Sequence, residues 1–152
     1  MLFRSPHWDY GARGTMLGLT RGSGRPQITR AVLEGVAHRG ADLVEAAETD
    51  AGRPIPSLRI DGGMSRNPTF VQALANASGK VVEVSPHTEA TTIGAAYQAG
   101  LAVGTWGSLD EISAAWRPGR VVEPTASLDR GRWAEAVQRA AGWIPDLSAL
   151  DF

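Results

Sequence analysis

The chain has 152 residues, 43% of them hydrophobic, which is enough for one domain with its own core and too apolar for a disordered chain. Its 15 basic and 16 acidic residues leave a net charge of −1, so there is no electrostatic case for binding nucleic acid or an anionic membrane. The absence of cysteine excludes disulfides, thiolate nucleophiles and zinc–sulfur sites. With no basic-plus-apolar leader and no apolar run near the ~18 residues of a membrane span, the expected location is the cytoplasm.

Taken in order, residues 1–13 read as irregular, with Pro6, Gly11 and three aromatic residues. Thr15 to Leu19 reads as a short buried strand and Thr20 to Pro26 as a Gly- and Arg-containing loop. A helix is predicted from Gln27 to Thr49, with Ile28, Val32, Val36, Leu43, Val44 and Ala47 on its inner face. Gly35 and Gly40 within it mark places where another backbone packs close. The strand Leu58 to Asp61 runs into Gly62-Gly63, and Asn67-Pro68 opens a helix to Ser78, with Phe70, Val71 and Leu74 inward and Gly79 as a left-handed stop.

Val81 to Val84 is a β-branched strand, followed by a helix from Ala90 to Ala99, capped by Thr88 and ended by Gly100. Ser108 and Glu111 match a capping box for a short helix to Trp116. Val121 to Pro124 is extended, and a last helix from Leu128 to Trp143 ends the ordered chain before Pro145. Strands alternating with helices predict an α/β fold with parallel or mixed pairing. Only three or four strands are visible, so the chain looks like part of a domain.

The chemistry concentrates at the double glycine. Glycines after a strand let a ligand approach the backbone, and the following helix N-terminus offers unpaired N–H groups and a positive dipole end that suit phosphate. A plain tight turn is the competing reading. Asp61 reads either as a metal ligand or base, or as an acceptor for turn N–H groups. Asn67 reads as a helix cap or as a ligand contact, and it cannot be assumed to cap and bind at once. Asp9 and Arg13 read as a structural pair or network. Arg21 and Arg25 are loop cations that either approach phosphate or stay solvated. His7, His38 and His87 lie in separate segments without ligand spacing. Trp106, Trp116, Trp133 and Trp143 are assigned to core packing rather than ligand stacking.

Several separated motifs carry a resemblance. Gly14, a hydrophobe at Met16, Gly18-Leu19, a seven-residue gap, then Gln27, Ile28 and Ala31-Val32-Leu33-Glu34 form one signature. Trp8-Asp9 and Ala12-Arg13-Gly14 precede it, and Ile60-Asp61-Gly62-Gly63, Glu89 to Ala96, Ala99 to Gly104 and Leu109-Asp110-Glu111 follow in order. In this the chain resembles the FGGY carbohydrate kinases, the glycerol kinase branch in particular, over nearly its whole length.

The resemblance implies a partial actin/hexokinase-like (ribonuclease H-like) ATPase domain with a helical C-terminal extension. Residues 1–104 would be the C-terminal portion of the second kinase domain, on its nucleotide side, and residues 105–152 the extension. It implies ATP and Mg2+ as cofactors, with Gly62, Gly63, Met64 and Asn67 lining the adenosine end. Gly62 would supply turn geometry, and Met64 stands where a small residue is common. The phosphate-binding loop, the polyol contacts and the catalytic base would lie outside this chain, whose Met1 matches a mid-chain position. The expected partners are ATP or ADP, glycerol only through the missing part, and a second copy or a separately encoded N-terminal half.

Overall fold

A computed structural model of the chain describes residues 6–149, so the first five residues of the irregular N-terminal stretch and residues 150–152 lie outside the described residues. The first element, α1 (Arg25–Ala51), starts at the Pro26 N-terminal turn and stops at Gly52, whose φ of 63° is the left-handed conformation that ends a helix at least cost in glycine. Three strands follow: β1 (Ser57–Ile60), β2 (Val81–Val84) and β3 (Arg120–Val122). They form one sheet in the order β1-β2-β3, with β1 parallel to β2 and β3 antiparallel to it. Between β1 and β2 lie a 3-10 turn (Gly63–Arg66) and α2 (Pro68–Ser78), a βαβ crossover. The α/β expectation with mixed pairing therefore holds, on three strands.

The core is layered: sheet, then α2, then α1. Val71, Ala73, Leu74, Ala75 and Ala77 of α2 are buried between Val82 and Val84 of the sheet and Ala37 and Ala41 of α1. Fully burying Val71 or Val82 is worth roughly 1.5–3 kcal/mol each, so this layer carries much of the stability. Helix α1 corrects the predicted inner face. It turns Ala37 and Ala41 toward α2, while Val32, Val36 and Leu43 are exposed. The reason is the close approach of α2: a Cβ on Gly40 would come within 2.7 Å of Leu74 Cδ1, so only a small-residue face fits there. Gly35 meets only ordinary contact, Trp133 at 3.9 Å, and Gly40's close neighbour is a side chain rather than backbone.

The predicted strand at Thr15 to Leu19 does not form. None of residues 14–19 takes a backbone–backbone hydrogen bond among the described residues, and Gly18 has φ 76°. A strand is a property of a pair, and no described strand lies beside this segment. Met16, Leu17 and Leu19 are instead exposed and, with Val32 and Val36, line an apolar groove against α1.

Beyond β2, α3 (Ala90–Ala102) runs past Gly100 rather than ending there. Gly100 is buried, and a Cβ on it would sit 2.1 Å from the Trp106 ring, so this glycine is a packing site rather than a stop. Trp106 also meets Tyr97 edge-on, with ring centroids 5.1 Å apart. The next helix, α4 (Leu109–Ala115), is capped by Ser108 Oγ, which accepts from Glu111 N–H, while Glu111 Oε2 accepts from Gly107 N–H rather than from Ser108. After β3 the chain is pinned to α2, where Asn76 Oδ1 accepts from the N–H groups of Thr125 and Ala126.

The predicted last helix is shorter than Leu128 to Trp143. It is α5 (Arg130–Ala140), capped by Asp129, and Pro145 opens a further turn, α6 (Pro145–Ser148), instead of following the end of order. Trp143 is 68% exposed, against its assignment to the core. The N-terminal stretch is tied to this end by Asp9. Ser148 Oγ and the N–H groups of Gly142, Gly11 and Ala12 donate to its carboxylate and hold it below the ordinary carboxylate range. Asp9 is thus a structural hub, and Arg13 donates to the carbonyls of Tyr10 and Ala12.

Candidate functional site

The double-glycine turn sits beyond the C-terminal ends of β1 and β2, the end where open α/β sheets present ligands. Gly62 has φ 84°, a conformation that L side chains rarely adopt, so its presence is a backbone requirement. Gly63 differs: it has no positive φ, and a Cβ there would meet no atom within 4 Å. The space over Gly63 is open, which is what a ligand lying on the backbone needs. Met64 is 42% exposed beside it, and Ser65 is buried with its hydroxyl donating to Gly62 O (2.7 Å).

Asn67 caps α2. Its Oδ1 accepts from Thr69 N–H at 3.0 Å and Phe70 N–H at 3.2 Å, while the residue stays exposed. The capping role is therefore real and occupies the oxygen. The Nδ2 donors take no hydrogen bond among the described residues. Gly62, Gly63, Met64 and Asn67 are consecutive parts of one turn, so their proximity follows from the chain itself.

What holds that turn is less visible in the sequence. Gly62 N–H donates to Thr88 O (3.1 Å), Arg66 Nη2 to Thr88 Oγ1 (2.8 Å), and Ala90 N–H to Asp61 Oδ2 (3.1 Å). Thr88 therefore anchors the turn instead of capping α3. The capping acceptor for α3 comes from Asp61, 29 residues away, where a carboxylate also meets the positive end of the helix. Asp61 bonds a backbone N–H as one of its two readings proposed, but on a different loop. Arg120 on β3 completes the frame by donating to Ser65 O at 3.1 Å. The ordering signal for these contacts was a Thr and an Asp beside two successive βα turns, which parallel strands bring together.

Arg21 and Arg25 are exposed, on the loop before α1 and at its first residue. Among the described residues no group of three or more His, Asp or Glu is placed to hold a metal ion. No helix is long and apolar enough to cross a membrane.

Residues 1–103 match the model of the FGGY family of carbohydrate kinases, C-terminal domain. The chain belongs to this family. It is 43% identical over 145 residues to a glycerol kinase of Aromatoleum aromaticum, covering 92% of this chain and 29% of that protein. A glycerol kinase of Deinococcus radiodurans is 44% identical over 150 residues, covering 95% and 30%. The structure of Plasmodium falciparum glycerol kinase with ADP superposes with a TM-score of 0.76 and 35% identity over 90% of this chain and 28% of that one. The chain thus spans about 30% of the length of the curated relatives it matches. Xylulose kinase from Brucella ovis gives a TM-score of 0.68 at 32% identity, which places the same actin/ribonuclease H-like architecture across FGGY kinases of different substrates.

Proposed function

We propose that this FGGY chain supplies the adenosine side of the ATP site of a glycerol kinase-like phosphotransferase, with residues 1–104 forming the nucleotide-side portion and residues 105–152 a helical extension. The observation that carries this reading is the open backbone at Gly63, framed by Met64 and by the Asn67 amide at a βα turn locked from three sides. In the complete reaction a glycerol hydroxyl oxygen attacks the γ-phosphorus, the bond to the ADP oxygen breaks, and glycerol 3-phosphate forms as the hydroxyl proton passes to a base. The residues described here offer a wall for the nucleotide and no carboxylate cluster for a metal. In this reading the chain alone supplies only the nucleotide side and is inactive, and a coupled assay of ADP release with glycerol, ATP and magnesium should stay at background. Turnover that copurifies with the protein would overturn it. The xylulose kinase likeness keeps other polyols or sugars as substrates of the assembled enzyme.

Nucleotide binding is measurable on the chain itself. Gly63→Val should weaken ADP affinity about tenfold or more, about 1.4 kcal/mol, with little change in melting temperature, because a Cβ at this position meets no atom of the fold within 4 Å. Asn67→Ser keeps a capping oxygen and removes the amide donors. Isothermal titration with ADP then separates the two roles of Asn67: weaker binding at equal stability assigns Nδ2 to the nucleotide, and equal binding leaves Asn67 a cap.

A further inference from the structure

The long helix α1 and the C-terminal helix α5 meet at a polar cluster that the nucleotide site does not use. Arg130 Nη1 lies 2.9 Å from His38 Nδ1 and donates also to His38 O (3.1 Å), while its other nitrogens donate to Asp42 and Glu45. An arginine is only a donor, so His38 Nδ1 must be the acceptor and the imidazole must be neutral, with its proton on Nε2. Trp133, one turn along α5, stacks on the same ring, with centroids 4.9 Å apart and planes 6° from parallel. Trp133 lies in the wall of the apolar groove and in that of the neighbouring cavity beside Asp9 and Tyr10.

We infer that the His38–Arg130 contact is an acid-sensitive latch: protonation at Nδ1 sets two cationic donors against each other, loosens α5 from α1, and widens the already exposed apolar groove at its Trp133 wall. The groups facing His38 from each element act in both directions. Burial and Arg130 disfavour the imidazolium, while Asp42 and Glu34 on α1 and Asp129 at the cap of α5 favour it, and the balance lies below the ordinary histidine value of 6.5. The folded chain thus binds this proton less readily than the unfolded chain. Latch stability is complete above about pH 6.5 and is lost as pH falls toward the folded-state value.

The test is a pH titration of the full chain beside His38→Gln, whose amide oxygen accepts from Arg130 at any pH. Imidazole NMR should show the resonance absent from H38Q as a neutral, Nε2-protonated ring that titrates below 6.5. Between about pH 7.5 and 5 the wild-type melting temperature should fall about 3 °C further than that of H38Q, with apolar-dye uptake rising on acidification more in the wild type than in H38Q. Equal pH dependence in both chains, a protonated Nδ1 at neutral pH, or stability loss without a rise in dye uptake would overturn the latch. Should H38Q fail to fold, His38→Asn replaces it, its amide oxygen being a non-titrating acceptor near the position of Nδ1, with the same flattened pH dependence expected and the same wild-type result required.

Discussion

Asp42→Ala is expected to cost the chain about 3–5 kcal/mol and to lower its melting temperature by about 10 °C. The Asp42 side chain is only 9% exposed, and it bonds Arg39 at 2.8 Å as well as Arg130, whose side chains are 13% and 24% exposed. The Trp133 indole N–H donates to both of its oxygens, at 3.0 and 3.1 Å. Removing the carboxylate therefore takes a carboxylate partner from each of two largely buried cations and both acceptors from the indole N–H at once, which weakens the tie of α5 to α1. Removing one partner of a largely desolvated ion pair is what makes such a loss large, since the intact pair gains far less over an apolar substitute. The exposed pair Arg139–Glu135, with side chains 63% and 57% exposed, is the control: Glu135→Gln should change stability by less than about 0.5 kcal/mol. Urea denaturation of both variants measures the difference. An Asp42→Ala chain within about 1 kcal/mol of the wild type would mean that α5 is held by apolar contact alone.

The second large effect concerns association. Met16 is 62% exposed, Leu19 60% and Val32 54%, and they lie together on one groove with Leu17 and Val36. The backbone of residues 14–19 brings no ladder hydrogen bonds of its own. A segment that offers both free backbone groups and apolar side chains is a template for another chain. The protein is therefore expected to self-associate, with sedimentation that depends on concentration in the micromolar range. Leu17→Lys with Leu19→Glu should weaken that association about 100-fold or more, about 2.7 kcal/mol, without changing the core between α1, α2 and the sheet. A sharp monomer at every concentration would remove this face as an association surface. The same double variant separates association from the latch, because neither residue touches His38 or Arg130 in the contacts described above.

The two results bear on different parts of the chain's role as one portion of an FGGY kinase. The proposed nucleotide wall lies at the turn between β1 and α2, whereas the groove and the α5 clasp involve residues of α1. Variants at Leu17, Leu19 and Asp42 should accordingly change assembly and stability while leaving ADP affinity within about twofold, provided the chain remains folded.

Local chemistry was enough wherever a short stretch of chain held all the partners. Asn67, Pro68 and Gly79 set the limits of α2 at Pro68 and Ser78, because a cap, a helix-starting proline and a left-handed stop act within a few residues. Val81 to Val84 formed a strand for the same reason, since its β-branched run fits a half-buried pleat. The Gly62-Gly63 turn and the family motifs were also legible, as contiguous residues in order. What the sequence alone determined is therefore the elements around the candidate site and the family to which they belong.

Tertiary structure decided every feature that needs a partner distant in the chain. Thr15 to Leu19 has a strand's composition but no neighbour to pair with, so it stays without a ladder. The apolar stripe of α1 lost the inner face to Ala37 and Ala41, where α2 packs so close that a Cβ on Gly40 would come within 2.7 Å of Leu74 Cδ1. Gly100 carries the chemistry of a stop, yet Trp106 needs that space and α3 runs on to Ala102. Asp61 caps a helix that begins 29 residues later, and His38 faces an arginine 92 residues away. Propensity acts between neighbours along the chain, whereas packing and buried charge pairing act between surfaces. Only the folded arrangement says which surfaces meet.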